Sequence, residues 1–433
     1  MEPNDALRSV RERTPSTRSP GEAMSRQELA ELVNRYLYRL TKRQFALDAN
    51  YVGKLERGVI RWPHKIYREA FRAVLNVSDD AQLGFRNPRR PATSSPSKPE
   101  DSLLTSAMVE SRSVAEPSVY DLLAPTEPNP VPPRIGHDHV EHIRAAAALF
   151  RKSDHSYGGG FIREAVTAQL RWAAQLLEAQ PPASVRRPLQ EAIGELAAVT
   201  GFMAFDALAF EEAERIFKFA LSCAEVCGNW HLRAKVLSSM ARLATWRGNY
   251  GLALSLTDLA LARTDRLTGT ERAMIHVARA RAYARIGHIR DTIVEVDLAD
   301  EAFAGADRAN DPPWMAYYDE AQHAGDTGHA MWDLSLRGYP TDGRERLSAA
   351  VAGHAPEYVR SRAMSRIKLA SLVMATEDPM EAVALGHQAL DEIGSLRSRR
   401  AMSDLLTLHG IAARHSRIGE VCDLRDRIIE RLG

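Results

Sequence analysis

The amide of Asn50, the phenol of Tyr51 and the ammonium of Lys54 crowd into one short segment. Wound into a helix they share a face, while Val52 and Leu55, three residues apart, mark the opposite one. Asp48 ahead is a favoured N-cap and Gly58 behind a favoured C-terminal stop, so a short helix is expected between them. A helix that enters the DNA major groove needs this division, with apolar groups holding it to its domain and polar groups reaching base edges. Asn50, Tyr51 and Lys54 are therefore the expected base contacts, and Arg26, Gln27, Lys42, Arg43 and Arg61 the expected phosphate contacts. Glu56 and Arg57 are read as structural, linking this helix to its neighbours or to a phosphate.

The elements that must position this helix are written upstream. Ser25 to Asn34 reads as a preceding helix and Asp5 to Arg13 as a first one. With Val52, Gly53, Lys54, Leu55, Glu56, Arg57 and Gly58, this pattern resembles the helix-turn-helix of the Xre/Cro repressors. The resemblance implies a DNA-binding domain over residues 1–85. The chain departs from the family pattern between Arg35 and Leu47, where the connection is much longer than the usual tight turn, and in a Pro-rich loop after the first helix.

Charge agrees with that placement. The net charge is only +1, yet residues 1–90 carry +7 and the remainder −6. Clustered cations release counterions from phosphates, so the distribution matters more than the total. Of the 57 basic residues 49 are Arg, a bias that accompanies GC-rich genomes. No window resembles a membrane span or a signal peptide, so a cytoplasmic protein is expected. Cys223, Cys227 and Cys422 are too few for a disulfide framework, and the first two read as buried thiols on one helix.

At 433 residues the chain exceeds one ordinary core. Residues 86–136 hold 10 of its 22 prolines and read as a linker, with Val119 to Leu123 as a docking segment within it. From residue 137 to the end the pattern is helical without strand alternation, so the fold class is all-α. Gly201, Ala241, Ala280 and Ala370 recur as small residues on a first helix, and Ala220, Ala260, Ala299 and Ala389 on a second. Small residues there let paired antiparallel helices approach closely. This looks like a degenerate tetratricopeptide repeat, which implies a solenoid with a concave binding face; an irregular bundle is the alternative. Phe202, Phe205, Phe210, Phe217 and Phe219 read as core, Trp172, Trp230 and Trp246 as concave face or seam, and Gly158, Gly159 and Gly160 as a loop or hinge.

A second constellation is aromatic and titratable. Trp314, Tyr317, Tyr318, Asp319 and His323, followed by Asp326 and His329, combine flat apolar surface with ionisable groups, as ligand pockets do. Asp319 and His323, four apart on a helix, also admit a metal reading, and a purely structural role is the third; no metal or cofactor is expected. No phosphate loop, zinc-protease helix or nucleophile elbow is present, which argues against catalysis.

The layout is similar to peptide-sensing regulators of Gram-positive quorum signalling and to actinobacterial Xre-type proteins with tetratricopeptide-like tails. It implies a homodimeric regulator of double-stranded DNA controlled by a peptide or small-molecule signal. The competing expectation is a repeat-type interaction scaffold with an auxiliary DNA-binding domain.

Overall fold

Asn4 opens the first helix by accepting the backbone N–H of Leu7, and its amide donates to the carbonyl of Leu83. The N-terminal part of the computed structural model holds α1 (Asp5–Arg13), α2 (Arg26–Thr41), α3 (Ala49–Glu56) and α4 (Lys65–Leu75). The structure describes residues 3–16, 22–41, 47–75, 77, 79–85, 131–179, 181–394 and 396–432. Among them the chain is all-helical, the one pairing of extended residues being the isolated bridge between Pro15 and Ala23. Two compact units divide the chain, residues 1–116 and 117–433.

In the first unit Leu7, Leu29, Val33, Leu37, Val52, Leu55 and Phe71 are fully buried. The second helix does not stop at Asn34 as the sequence suggests. It continues to Thr41, because Leu37 extends the stripe of Leu29 and Val33 at four-residue spacing. That extension takes up residues 35–41 of the apparent insertion. Asn34 then pins the chain where it returns, donating to the carbonyl of Leu47 at 2.8 Å and accepting its N–H at 3.1 Å. Lys42 and Arg43 lie outside the described residues.

Three helices meet on one carboxylate. Glu56, its side chain 2% exposed, accepts from Arg11 Nε at 2.7 Å and from Arg26 Nε at 2.6 Å. Its own carbonyl accepts the N–H of Asn4. Such a pair adds little net stability over an apolar filling, but it fixes geometry, and removing one partner is costly.

The second unit continues with α5 (His137–Tyr157), α6 (Arg163–Glu178), α7 (Ala183–Asp206), α8 (Phe210–Val226), α9 (Trp230–Trp246), α10 (Tyr250–Leu261) and α11 (Gly269–Ile286). It ends with α12 (Ile289–Ala304), α13 (Glu320–Ser335), α14 (Gly343–Gly353), α15 (Val359–Thr376), α16 (Pro379–Ile393), α17 (Arg399–Ala412) and α18 (Gly419–Leu432). From α7 onward each odd-numbered helix packs on the even-numbered helix that follows it. The small residues expected at the seams are all buried there, and a Cβ on Gly201 would stand 2.7 Å from the ring of Phe217 on α8. The turns repeat as well. Gly248 and Gly287 take left-handed backbone after α9 and α11, and Leu208 takes it after α7. Val131 and Ile135, expected in the linker, pack into this unit's core.

The odd-numbered helices form an inner row in which α5, α7, α9, α11, α13, α15 and α17 touch in succession, and α15 also touches α5. Asp206 at the end of α7 is fully buried and accepts from Arg400 Nη2 at 2.7 Å, Ser398 Oγ at 2.9 Å and Gly159 N at 2.9 Å. Arg360 donates to Asp154 at 2.6 Å. Gly158, Gly159 and Gly160 make this approach feasible: Gly160 N donates to Arg397 O, and a Cβ on Gly159 would stand 2.4 Å from Met203 O. The glycine triplet, expected as a loop or hinge, is thus where the start of the row meets its end.

Replacing Glu56 with Ala removes the one buried carboxylate shared by Arg11 and Arg26 and leaves the buried Arg11 guanidinium with only the exposed Glu12 carboxylate. A destabilisation of about 3–5 kcal/mol is expected. Urea unfolding followed by the fluorescence of Trp62, the unit's only tryptophan, checks it, and an unchanged midpoint would contradict the assigned role.

Candidate functional site

The helix α3 forms as its sequence dictates. The Asp48 carboxylate accepts the N–H of Tyr51 at 2.7 Å, and Val52, Leu55 and Glu56 are buried. Asn50 and Lys54 are exposed, as are Arg57 and Arg61. Tyr51 is only half-exposed, its ring edge-on to Tyr67 at 5.8 Å, and burial pushes its phenol pKa up. Of the expected phosphate contacts, Gln27 is exposed and donates to Glu31, whereas Arg26 is 42% exposed and already bonded to Glu56. The α3 surface therefore carries an amide, an ammonium and two guanidiniums, with the phenol at its edge.

In the second unit a cavity of about 1020 Å³, counting its open mouth, lies along the inner row. Every odd-numbered helix contributes a lining residue and no even-numbered one does. Arg151, Asp154 and His155 come from α5, Glu195 and Phe202 from α7, Lys235 and Arg242 from α9, and Met274 from α11. Asp326 and His329 come from α13, Arg360 and Met364 from α15, and Arg400 from α17, while Trp314 and Tyr317 enter from the segment before α13. The walls are mixed in a particular way. Phe202 is ringed by guanidiniums, with Arg400, Arg360 and Arg242 at 5.0, 5.2 and 5.8 Å from its centre.

The ion pairs do not balance. Arg151 pairs with Glu195, and Arg360 and Arg400 with Asp154 and Asp206. Arg242 and Arg281, however, share the single carboxylate of Asp326, at 3.5 and 3.3 Å. Lys235 has no carboxylate within ion-pair distance among the described residues. Its ammonium donates to Tyr317 Oη at 2.6 Å and lies 4.0 Å from that ring's centre. Burial, with Arg242 and Arg151 nearby, brings the Lys235 pKa down to about 7. Burial also raises the Tyr317 phenol and, with Arg360 and Lys235 nearby, pushes the His155 pKa well below its usual value. For Asp206 burial acts upward, but Arg400, Arg360, Gly159 N–H and Ser398 outweigh it and hold the carboxyl below its ordinary range.

The expected pocket residues divide. Trp314 and Tyr317 line the cavity, and Tyr317 stacks on His155 at 5.8 Å. Tyr318, Asp319 and His323 do not line it. Tyr318 is fully buried, with its hydroxyl on His323 Nδ1, and Asp319 caps α13 by accepting the N–H of Gln322. His323 binds Asp300 at 2.7 Å and stacks on Phe303 at 4.4 Å, joining α12 to α13. Burial acts to raise Asp300, yet the hydrogen bonds from His323 and Arg346 bring it down to about 2. Among the described residues no three metal-ligating side chains converge. Cys223 and Cys227 are buried thiols as expected, Cys223 pushed up to about 12 by burial.

Sequence reasoning missed Arg151, Lys235, Arg242, Arg360 and Arg400, and it assigned Phe202 to the core. A signal was present. For Arg360 alone, the helix α15 spreads apolar and small residues round its circumference, which marks a buried helix whose basic residues need a built environment, without saying which of them face a cavity.

Comparison with protein-family models and with curated proteins returns no match for the chain. No described helix is long and apolar enough to cross a membrane.

Lys235→Met tests the electrostatics. The folded pKa of about 7 lies below the value near 10.4 of an unfolded lysine, so unfolding takes up a proton between them. The penalty is full below pH 7 and fades as pH rises towards 10. The variant should therefore be the more stable at neutral pH, and the gap in urea midpoint should narrow as pH rises to about 9. A gap independent of pH would contradict a half-buried ammonium without a carboxylate partner.

Proposed function

We propose that the protein is a DNA-binding regulator whose operator binding is controlled through the inner cavity of its C-terminal helical array. The observation that carries the first half is the two-sided α3, fixed by Val52, Leu55 and Glu56 and exposing Asn50 and Lys54. A bidentate amide and an ammonium suit adenine and guanine edges. Arg61 and Gln27, both exposed, serve phosphates, with Arg26 contributing its outer edge. Tyr51 serves at the rim of the contact rather than at its centre, because part of its ring is spent on Tyr67. The resemblance to Xre/Cro repressors supports this reading, and the paired helices with small residues at their seams support a tetratricopeptide-like second unit.

One small DNA-binding unit buries too little surface for tight specific binding, so two copies are needed on one operator. Exposed apolar side chains supply surface for self-association: Leu252 and Leu259 on α10, and Ile293, Val294 and Leu298 on α12. The same surface favours the second reading, a scaffold that recruits another protein. Leu259→Glu with Val294→Glu decides between them. A shift from dimer to monomer in sedimentation velocity supports self-association, and a wild type that is already monomeric supports the scaffold.

For DNA, Asn50→Ala and Lys54→Ala should each weaken binding to a footprinted operator by about 1–3 kcal/mol and relax its sequence preference. Arg61→Ala should weaken all sequences alike and reduce the salt slope by about one. Unchanged operator affinity in Asn50→Ala and Lys54→Ala would overturn the assignment of α3 as the reading helix.

A further inference from the structure

We infer that the inner cavity is a receptor for a carboxylate attached to an aromatic or similarly flat apolar body, with Lys235 and Arg242 holding the carboxylate. This rests on the reading of the cavity as the signal site. The ion pairing leaves two cations without a carboxylate of their own, one on Lys235 and one shared by Arg242 and Arg281 over Asp326. The Lys235 and Arg242 side chains are half-buried, and cations withdrawn this far from water are costly unless a counter-anion arrives, so the site is built for one. Unpartnered polar atoms are waiting too, with one N–H donor on Trp314 and one on the His155 ring. Trp314 Nε1 and both ring nitrogens of His155 are buried without a hydrogen-bond partner among the described residues, and both side chains line the cavity. The remaining walls, Val199, Phe202, Leu232 and Met274 with Trp314, suit a flat apolar body.

Recognition of the anion also couples to a proton. The groups facing Lys235 are Arg151 and His155 from α5, Glu195 from α7, Arg242 on its own helix, Glu271 from α11, Tyr317, and Asp326 from α13. Burial and the two arginines outweigh the carboxylates and bring the amine to about 7. A carboxylate at hydrogen-bond distance reverses this by stabilising the ammonium. Binding therefore takes up a proton, and affinity falls as pH rises from about 7. A free organic acid and the C-terminus of a short peptide offer the same headgroup.

The test is isothermal titration of the full chain, without DNA, at about pH 8, where the free amine is largely neutral, in two buffers of different ionisation enthalpy. The probes are naphthoate, the neutral naphthylmethanol, and the dipeptide acetyl-Leu-Phe as free acid and as amide. A carboxylate should bind about tenfold to a hundredfold more tightly than its neutral counterpart, with proton uptake. Naphthoate binding assigns a free acid, and dipeptide-acid binding assigns a peptide terminus. Lys235→Met should lose the preference for the carboxylate, while Lys235→Arg should keep it and lose the proton uptake. Equal binding of charged and neutral probes, binding without proton uptake, or no binding of either acid at millimolar concentration overturns the inference. Because DNA is absent, these outcomes are separate from failure of the DNA-binding assignment.

Discussion

The meeting of Asp154 and Asp206 with Arg360 and Arg400 is the constraint on which the second unit depends. It joins residues 194 to 206 positions apart and brings the inner helix α5 against α15. Without it the inner row would be an open strip, and the groups now facing one cavity would face water. Chain entropy opposes such long-range contacts, although the shorter closures between successive inner helices lessen the cost. The geometry shows what offsets that cost. Asp206 is satisfied by a hydroxyl, a backbone N–H and a guanidinium, and the three glycines remove the side chains that would hold the two segments apart. A buried ion pair of this kind is poor evidence for stability and better evidence for a specified arrangement, since any misregistered closure leaves charges buried and unpaired.

The same logic separates the lysines from the arginines. The chain uses lysine at eight positions only. Two of these lie on the inner row, Lys368 buried and Lys235 half-buried, and they differ. Lys368 lies 3.5 Å over the ring of Trp332 and 3.0 Å from Asp404, so its charge is met inside the protein. Lys235 meets a phenol and a ring instead. Arginine at that place would stay charged at any physiological pH, whereas the amine can yield its proton and lessen the cost of an empty site. The difference between the two environments, rather than either residue type alone, distinguishes a structural cation from a poised one.

What was legible in the sequence was local. Asp48 as a cap, Val52 and Leu55 as the buried side of α3, and the seam positions Gly201, Ala241 and Ala280 are all read within a few turns of helix, where spacing fixes the face. The stop of α2 was misplaced although Leu29, Val33 and Leu37 carry the stripe onward, because the expected family pattern ended the helix early. Trp314 and Tyr317 were found by composition, but composition also drew in Tyr318, Asp319 and His323, whose polar atoms are satisfied within α12, α13 and the segment between them. The cavity itself was not legible. Its walls come from seven helices spread over 250 residues, Arg151 to Arg400, and nothing within any one helix says which of its charges turn inward.

Under the proposed reading, closure and recognition draw on shared residues, and this bears on how a signal could act. A ligand shifts an equilibrium only through its differential affinity for two arrangements. Arg360 and Arg400 both line the cavity and hold Asp154 and Asp206, so the charge of a bound anion is felt directly by the pairs that bring α5 against α15. An anion seated at Lys235 and Arg242 instead supplies the missing counter-charge on α9 and leaves those pairs intact. The second placement stabilises the closed row, since it removes an unmet charge from that state and an open row would expose the same cations to water. A signal of this chemistry would thus act by tightening the array rather than by prising it apart, and its effect on DNA would follow from what the tightened array presents to a second copy.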